Sequence, residues 1–369
     1  MYNSAAQREV VHSTKMTKMK TPVAEDPREL LALWPDYRPT PLNMLPQLAE
    51  RCGVAAVCVK EEGRRPLGSF KVLGGMYAGL RALARAAGAA TLAELVARKP
   101  AAASLPRLIC ASDGNHGLAV AAAAEMAGGP ARVYLHGHVP ESRARRIAER
   151  GAEIVWIEGS YDDAVDAAFA AAGRGEGLLI SDTSSNADDP VTADVMAGYG
   201  LMADEIVEQL RAAGEPGPTH LFVQAGVGGL AAALARGLCE AHKLGTRVIV
   251  VEPERVDCVG QALRAGRIER LAGDLQTSAE MLSCGEASAP AIEILRRVGA
   301  VGISVSEAAL SEAVAALREC GGPATTESGA TGGAGLLSTA TDSQRRAELG
   351  LDSRSRVLLI ATEGPVPEA

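Results

Sequence analysis

The amino-acid sequence predicts an α/β protein in which mostly parallel, twisted sheets are covered by helices. Units of strand, turn and helix follow one another from residue 107 to residue 172, and the alternation resumes at residue 219. Strands that alternate with helices at this spacing are typical of parallel sheets with helices on both faces. The 369 residues, of which 47% are hydrophobic, are enough for two domains with a large buried core.

The individual elements are predicted from short apolar runs and the turn residues between them. A proline-rich, extended stretch at 36–42 precedes the first strand, and the Ala-rich residues 88–106 are expected to be helical. The predicted strands are 54–60, 108–111, 131–135, 153–157, 219–224, 246–251 and 356–361, and the other predicted helices are 72–87, 118–127, 141–150 and 161–172. We expect a larger domain of residues 1–106 plus 188–369, and a smaller, inserted α/β domain of residues 107–187.

Composition argues against several classes of partner. The 37 basic and 45 acidic residues give a net charge of −8, which disfavours nucleic acid or an anionic membrane surface. No apolar run approaches the roughly 18 residues of a membrane-spanning helix, and the first twenty residues lack an apolar signal core, so secretion is not expected. The seven scattered cysteines without a CxxC pair indicate a reducing, cytoplasmic location, and the six histidines form no metal-ligand cluster, so no metal is predicted. The sequence leaves the oligomeric state open, with a homodimer as one expectation.

One lysine, Lys71, follows a Pro/Gly turn and precedes a run of small residues that reads as the start of a helix. A lysine amine that is partly desolvated can lose its proton and attack a carbonyl group. The alternative is a solvated lysine at a helix N-terminus, where the helix dipole is slightly unfavourable for a cation. Residues 65–75 are therefore a candidate catalytic stretch whose role depends on the rest of the chain.

A glycine run at 226–229 is the second candidate feature. It joins the strand at 219–224 to an Ala/Leu-rich helix, and glycines in this position expose backbone N–H groups to a phosphate. No Gly-Lys-Ser/Thr sequence follows, as a Walker loop requires, and the run is not a clean dinucleotide-binding GxGxxG. A single phosphate fits so short a loop. An imine-forming lysine combined with a monophosphate site indicates pyridoxal phosphate (PLP).

Five short motifs then occur in the order found in the tryptophan-synthase-β-like (fold type II) PLP enzymes, at 39–42, 68–71, 113–117, 226–230 and 362–364. The chain resembles this family, which includes serine and threonine dehydratases. Within it, the chain is most similar to the diaminopropionate ammonia-lyases, on the stretches at 113–117, 182–183, 196–199, 284–286, 327–330 and 362–364. The resemblance implies that PLP lies in the cleft between the two domains.

The resemblance also implies roles for individual residues. Lys71 would hold PLP covalently, be displaced by the substrate, and then take its α-proton. Asn115 would bind the ring hydroxyl, and Thr362 would face the pyridine nitrogen, where a neutral hydroxyl leaves the ring unprotonated and favours elimination over transamination. The remaining cofactor-binding residues implied are Phe70 and the loop Gly226, Val227, Gly228, Gly229 and Leu230.

Two carboxylates are candidate acids. Asp113 belongs to the turn that would hold the substrate carboxylate, and a carboxyl beside another anion has a raised proton affinity that suits a general acid or base. The alternative for Asp113 is an Asx-turn or helix N-cap. Asp182 would be a second acid near the β-substituent. The candidate substrate-binding residues are Ser112, Asp113, Gly114, His116, Cys284 and Glu286, with His116 expected to be a structural hydrogen-bonder and plain burial equally expected for Cys284.

Two departures from the ammonia-lyase pattern bear on the substrate. Gly68-Ser69 replaces the Asn-Ala of those lyases, and Ser184, Ser185 and Asn186 replace aromatic residues, which leaves room for a larger β-substituent. The predicted reaction is α,β-elimination of a 3-amino or 3-hydroxy amino acid to a 2-oxo acid and ammonia, with phenylserine as one bulky candidate. The alternatives are a β-replacement synthase of the cysteine-synthase kind and a non-catalytic protein that binds PLP or an amino acid.

Overall fold

The computed structural model describes residues 26–35, 37–98, 104–112 and 114–365, which form two sheets covered by helices. The six-stranded sheet has the order β1-β2-β10-β7-β8-β9, in which only β1 runs antiparallel to its neighbour, and the four-stranded sheet is parallel with the order β5-β4-β3-β6. The predicted α/β class is thus confirmed. The strands are β1 (Leu42–Met44), β2 (Ala56–Glu61), β3 (Leu108–Ala111), β4 (Ala131–His136), β5 (Glu153–Ile157), β6 (Leu178–Leu179), β7 (His220–Gln224), β8 (Arg247–Pro253), β9 (Val301–Val305) and β10 (Arg356–Ala361).

Helices cover both sheets, and none in the described ranges has the length and apolar character needed to cross a membrane. They are α1 (Arg28–Ala32), α2 (Pro46–Cys52), α3 (Lys71–Ala87), α4 (Leu92–Arg98), α5 (Asn115–Ala127), α6 (Glu141–Ala148), α7 (Tyr161–Gly173), α8 (Pro190–Ala212), α9 (Gly229–Ala235), α10 (Cys258–Ala265), α11 (Ala289–Arg297), α12 (Glu307–Glu319), α13 (Glu327–Ala340) and α14 (Ser343–Leu349).

The topology brings distant parts of the sequence to one edge of the larger sheet. Strands β7 and β10 are parallel neighbours, with Leu359 opposite Phe222. Their carboxyl ends therefore lie side by side, and the glycine run at 226–229 and the 362–364 motif leave the sheet at the same edge. Ligands of open α/β sheets commonly bind at this edge.

Helix α3 is packed between α5 and α8 through glycines that allow close approach. A Cβ atom at Gly75 would lie 2.7 Å from the Cβ of Ala119, and one at Gly79 would lie 2.9 Å from the Cβ of Ala123. Gly74 lies in the same way against the ring of Tyr199 on α8. Because α3 contacts helices from both segments, the division into residues 1–106 with 188–369 and residues 107–187 stays a prediction, although all four strands of the smaller sheet lie within 108–179.

Several predicted boundaries differ from the structure for local reasons. Helix α5 begins at residue 115 rather than 118, because the Ser112 hydroxyl accepts hydrogen bonds from the N–H groups of Gly114 and Gly117, both at 2.8 Å, and organises the first turn. The expected helix over 88–106 is limited to α4, since Gly88 has a φ of +63° and ends α3. Residues 99–103 lie outside the described residues, as do Asp36 and the first 25 residues.

Candidate active site

A cleft lies where the carboxyl ends of β7 and β10 meet the N-termini of α3, α5 and α9. Most of the residues predicted for the site line it, namely Phe70, Lys71, Ser112, Asn115, His116, Asp182, Gly226, Val227, Gly228, Gly229, Leu230, Cys284 and Thr362. Gly114 and Glu286 are not among the lining residues, and Asp113 lies outside the described residues. The lining residues that sequence reasoning did not select include Tyr161, Tyr199, Gln224, Met281 and Glu363.

Lys71 forms an ion pair with Asp182 inside the cleft. The lysine Nζ donates to Asp182 Oδ2, and the hydroxyl of Tyr161 donates to Oδ1 at 3.2 Å. Burial favours the neutral form of both groups, but the opposite charge outweighs it, so the pKa of Lys71 is raised and the pKa of Asp182 is lowered. Without a covalent bond to its nitrogen, Lys71 is therefore a protonated ammonium, and Asp182 is the ionised carboxylate that accepts its hydrogen bond.

The glycine loop presents backbone N–H groups to the cleft. Two of its carbonyl oxygens are fixed by hydrogen bonds. The Val227 oxygen accepts from the N–H of Ser288 at 2.9 Å, and the Gly226 oxygen accepts from the Cys258 thiol at 3.2 Å. Within the part of the chain that the structure describes, the N–H groups of residues 226–230 donate no hydrogen bond to the protein. Gly228, with a φ of +97°, lets the chain turn these groups toward the start of α9. Such a cradle fits a phosphate group.

Asn115 and Glu363 line the cleft and contact each other. Asn115 is the first residue of α5, and its Nδ2 donates to Glu363 Oε2. Glu363 Oε1 accepts from the Thr326 hydroxyl at 2.6 Å. The side chain is buried, and burial raises the pKa of Glu363. Glu363 could have been selected from the sequence because it follows Thr362 at the end of the last strand, but only Thr362 was assigned a role there.

Thr362 is oriented by a buried glutamine. Gln224 Nε2 donates to Thr362 Oγ1 at 3.1 Å and also contacts three backbone carbonyl oxygens. Since Thr362 Oγ1 accepts this bond, its own proton is available to an acceptor in the cleft. This arrangement fits a neutral donor facing a ring nitrogen.

Two further side chains are neutral because they are buried. The ring of Tyr199 packs on Phe70 with centroids 4.8 Å apart, and its hydroxyl makes no hydrogen bond within the described residues. Burial raises the pKa of Tyr199 and lowers the pKa of His116. His116 Nε2 lies 2.8 Å from the Ile180 carbonyl oxygen, which can only accept, so this nitrogen carries the proton. The bond supports the structural role expected for His116.

Two of the candidate substrate-binding residues differ in their relation to the cleft. Glu286 is half-buried and does not line it, whereas Cys284 is buried and is one of the lining residues. Ser185 and Asn186 are exposed, and the N–H of Ser184 donates to the Ser288 hydroxyl at 3.3 Å, behind the glycine loop. None of the three lines the cleft, and the larger space that their small size would leave stays a prediction. No group of three or more His, Cys, Asp or Glu residues suited to a metal ion occurs in the described ranges.

Comparison with known proteins agrees with this geometry. A family model described as "Pyridoxal-phosphate dependent enzyme" matches residues 33–363. The chain belongs to this family. Diaminopropionate ammonia-lyase of Escherichia coli K12 is 34% identical over 342 residues, covering 89% of this chain and 85% of that protein. L-threonine ammonia-lyase of Geobacter sulfurreducens is 26% identical over 271 residues, covering 73% of this chain and 60% of that protein.

A solved structure extends the likeness to three dimensions. The crystal structure of Escherichia coli diaminopropionate ammonia-lyase in complex with D-serine superposes with a TM-score of 0.83 at 31% identity, covering 92% of this chain and 88% of that chain. The predicted fold type II PLP enzyme, its cofactor and its class, a PLP-dependent lyase, are thereby confirmed. The lysine, the unpaired loop N–H groups and the available Thr362 hydroxyl fit the aldehyde, phosphate and ring nitrogen of PLP.

Proposed function

We propose that this protein eliminates the 3-amino or 3-hydroxy group of an amino acid and releases a 2-oxo acid and ammonia. The substrate loses the Cα proton and the β-substituent, and the resulting enamine takes up water to give the two products. The observation that carries this proposal is the buried carboxylate of Asp182 paired with Lys71. A lysine alone can bind the cofactor and take a proton, but loss of an amine or hydroxide also needs a proton delivered to the leaving group.

The chain's own residues divide the work. When bound, the cofactor supplies an aldehyde for amines and a ring that withdraws electrons from Cα. Lys71, once released by the substrate amine, takes the Cα proton, and Asp182 holds and orients the ammonium that forms. The proton for the leaving group comes from Asp113, or from Asp182 if that carboxyl has taken up a proton while Lys71 is still the uncharged amine. Tyr161 keeps the Asp182 carboxylate in place by its 3.2 Å hydrogen bond.

The other cleft residues bind and orient. The N–H groups of residues 226–230 would hold the phosphate, Asn115 would donate to the ring hydroxyl, and Thr362 would donate to the ring nitrogen. The turn of Ser112 and His116 at the start of α5 receives the substrate carboxylate, which the positive end of the helix dipole favours. The relatives support the substrate class, since one is named for a 3-amino acid and the same protein is seen with D-serine.

The test is turnover of a panel of 3-substituted amino acids. Both enantiomers of 2,3-diaminopropionate, serine, threonine and phenylserine are incubated with the PLP-loaded protein, and 2-oxo acid and ammonia are measured together. From at least one member of the panel we expect one ammonia per 2-oxo acid if the leaving group is a 3-hydroxyl, or two ammonia per 2-oxo acid if it is a 3-amine. Formation of thioethers when thiols are added, with no 2-oxo acid, identifies a β-replacement synthase. Binding of PLP without turnover of any substrate identifies a binding protein.

Location and assembly form a separate proposal. We infer a cytoplasmic location from the scattered cysteines of the chain, and a homodimer is the expectation for its assembly. Light scattering coupled to gel filtration measures the mass directly. A mass near the 38.0 kDa of one chain would contradict the dimer.

A further inference from the structure

We propose that Glu363 is a positioning residue that fixes the side-chain amide of Asn115 and so determines which atom of that amide faces the cofactor ring. The inference rests on the proposed site, in which Asn115 contacts the ring hydroxyl. It adds a residue that touches neither the reacting atoms nor the ring hydroxyl itself. Glu363 lines the cleft but turns its carboxylate to Asn115 and Thr326.

The orientation of Asn115 follows from the chemistry of its partner. An ionised carboxylate only accepts hydrogen bonds, so the Asn115 atom that faces Glu363 Oε2 is the donor Nδ2. A primary amide nitrogen carries two hydrogens, and one is used here. The second is directed at Met281 Sδ at 3.6 Å, a weak acceptor that a ring oxygen would replace. A flipped amide would instead present its carbonyl oxygen and repel that oxygen.

Glu363 can impose this orientation because it is itself held at several points. The Thr326 hydroxyl donates to Oε1, and the Thr325 hydroxyl donates to the backbone oxygen, each at 2.6 Å. Its backbone pairs with Ser69, next to the lysine stretch, in an isolated antiparallel bridge. The side chain is 6% exposed. Because these contacts fix the carboxylate, it can in turn fix the side-chain amide of Asn115, the first residue of α5.

The charges around the carboxylate are consistent with an acceptor. Burial raises the pKa of Glu363, and the nearby Glu280 adds to this effect, while the hydrogen bonds from Thr326 and Asn115 and the charge of Arg143 oppose it. With two donors directed at its two oxygens, the ionised form is the one that satisfies every contact.

A double-mutant cycle tests the proposal without relying on turnover. The variants are E363A, N115A and the double variant, and the measurements are the PLP dissociation constant and the absorbance of the bound cofactor as a function of pH. A donated hydrogen bond withdraws electron density from the ring oxygen and lowers the proton affinity of the nitrogen that links Lys71 to the cofactor. We therefore expect a higher absorbance midpoint and about tenfold weaker binding in each single variant. The double variant should be no worse than N115A alone.

A matched control separates orientation from loosening of the segment. T325V removes the hydrogen bond to the backbone oxygen of the same residue and leaves the carboxylate contacts in place. It should keep the wild-type absorbance midpoint. Equal shifts in T325V and E363A, additive losses in the double variant, or a wild-type midpoint in E363A would overturn the proposal. If E363A does not fold, E363M takes its place, since a methionine has a similar length but offers the Asn115 amide no strong acceptor. Absence of turnover on every substrate would refute the proposed function. The double-mutant cycle could still be interpreted, because it measures PLP binding and absorbance.

Discussion

At the scale of single residues, Lys71 and Asp182 allow two tasks to be divided. Lys71 can take the Cα proton while Asp182 holds the ammonium or acts on the leaving group, whereas a lone lysine would have to do both. The pKa of Asp182 is lowered mainly by the Lys71 charge, which overcomes the burial of the carboxyl. Asp182 is therefore ionised as long as the ammonium lies beside it. It can hold a proton only when Lys71 is uncharged, as it is after the substrate has released the amine and before that amine takes the Cα proton.

This coupling leads to a prediction about the leaving group. Asp182→Asn should slow elimination of a 3-amino or 3-hydroxy substrate by about 10²–10⁴-fold, the usual worth of a general acid or base. Elimination of chloride from β-chloroalanine should fall far less, because chloride leaves without a proton. Steady-state rates of 2-oxo acid formation on both substrates measure the ratio.

Asp113→Asn is the matched variant for this experiment. If Asp113 is the leaving-group acid instead, it alone will show the selective loss. Equal slowing of both substrates in both variants would mean that neither carboxylate protonates the leaving group, and Asp113 would then keep only its alternative role as a turn or cap residue.

The residues that sequence could reveal are those with a recognisable neighbourhood. Lys71 and Gly228 stand in motifs whose spacing already indicates their chemistry. Glu363 stood in a quoted motif, but its partners Asn115 and Thr326 are far away in the sequence, so its role depends on contacts that only folding creates. The contact of Ser184 is of the same kind, since its N–H donates to the hydroxyl of Ser288, which is 104 residues away in the sequence.

At the scale of elements, close packing of α3 against α5 depends on glycines and alanines. The aromatic content is only 3%, and the two helices approach because Gly75 and Gly79 carry no Cβ. Helical periodicity predicted α3 to within one residue, since its boundary is local. It could not predict which glycines face a neighbour, because that depends on the crossing of two helices.

We predict opposite effects for two glycine-to-alanine changes. Gly79→Ala places a Cβ 2.9 Å from the Cβ of Ala123, and neither atom can move without its backbone, so we expect a loss of about 1–3 kcal/mol in the free energy of unfolding. Gly200→Ala, in α8, meets no atom within 4 Å, and the helix should gain about 0.5–1 kcal/mol. Urea unfolding of both variants measures the difference. A gain in both would show that α3 and α5 can separate at little cost.

At the scale of the whole molecule, the cofactor site joins elements that are distant in the sequence. The lysine begins α3, the ring contacts come from α5 and the exit of β10, and the phosphate loop follows β7. A ligand that binds only when these parts are assembled stabilises the folded state by mass action. PLP should therefore act on global stability as well as on chemistry.

The melting temperature should reflect this linkage. Removing PLP should lower the melting temperature. Adding PLP back at 1,000 times its dissociation constant should raise the free energy of unfolding by about 4 kcal/mol. Gly228→Asp should lose the response, because its φ of +97° strains any side chain and the added charge repels the phosphate. Lys71→Ala should keep a smaller response, since the loop and ring contacts remain when the covalent link is gone. Differential scanning calorimetry with and without PLP compares the three proteins.

A wild-type response in Gly228→Asp would place the phosphate away from the loop. Borohydride reduction followed by mass spectrometry of the wild type would then show whether Lys71 still carries the pyridoxyl group.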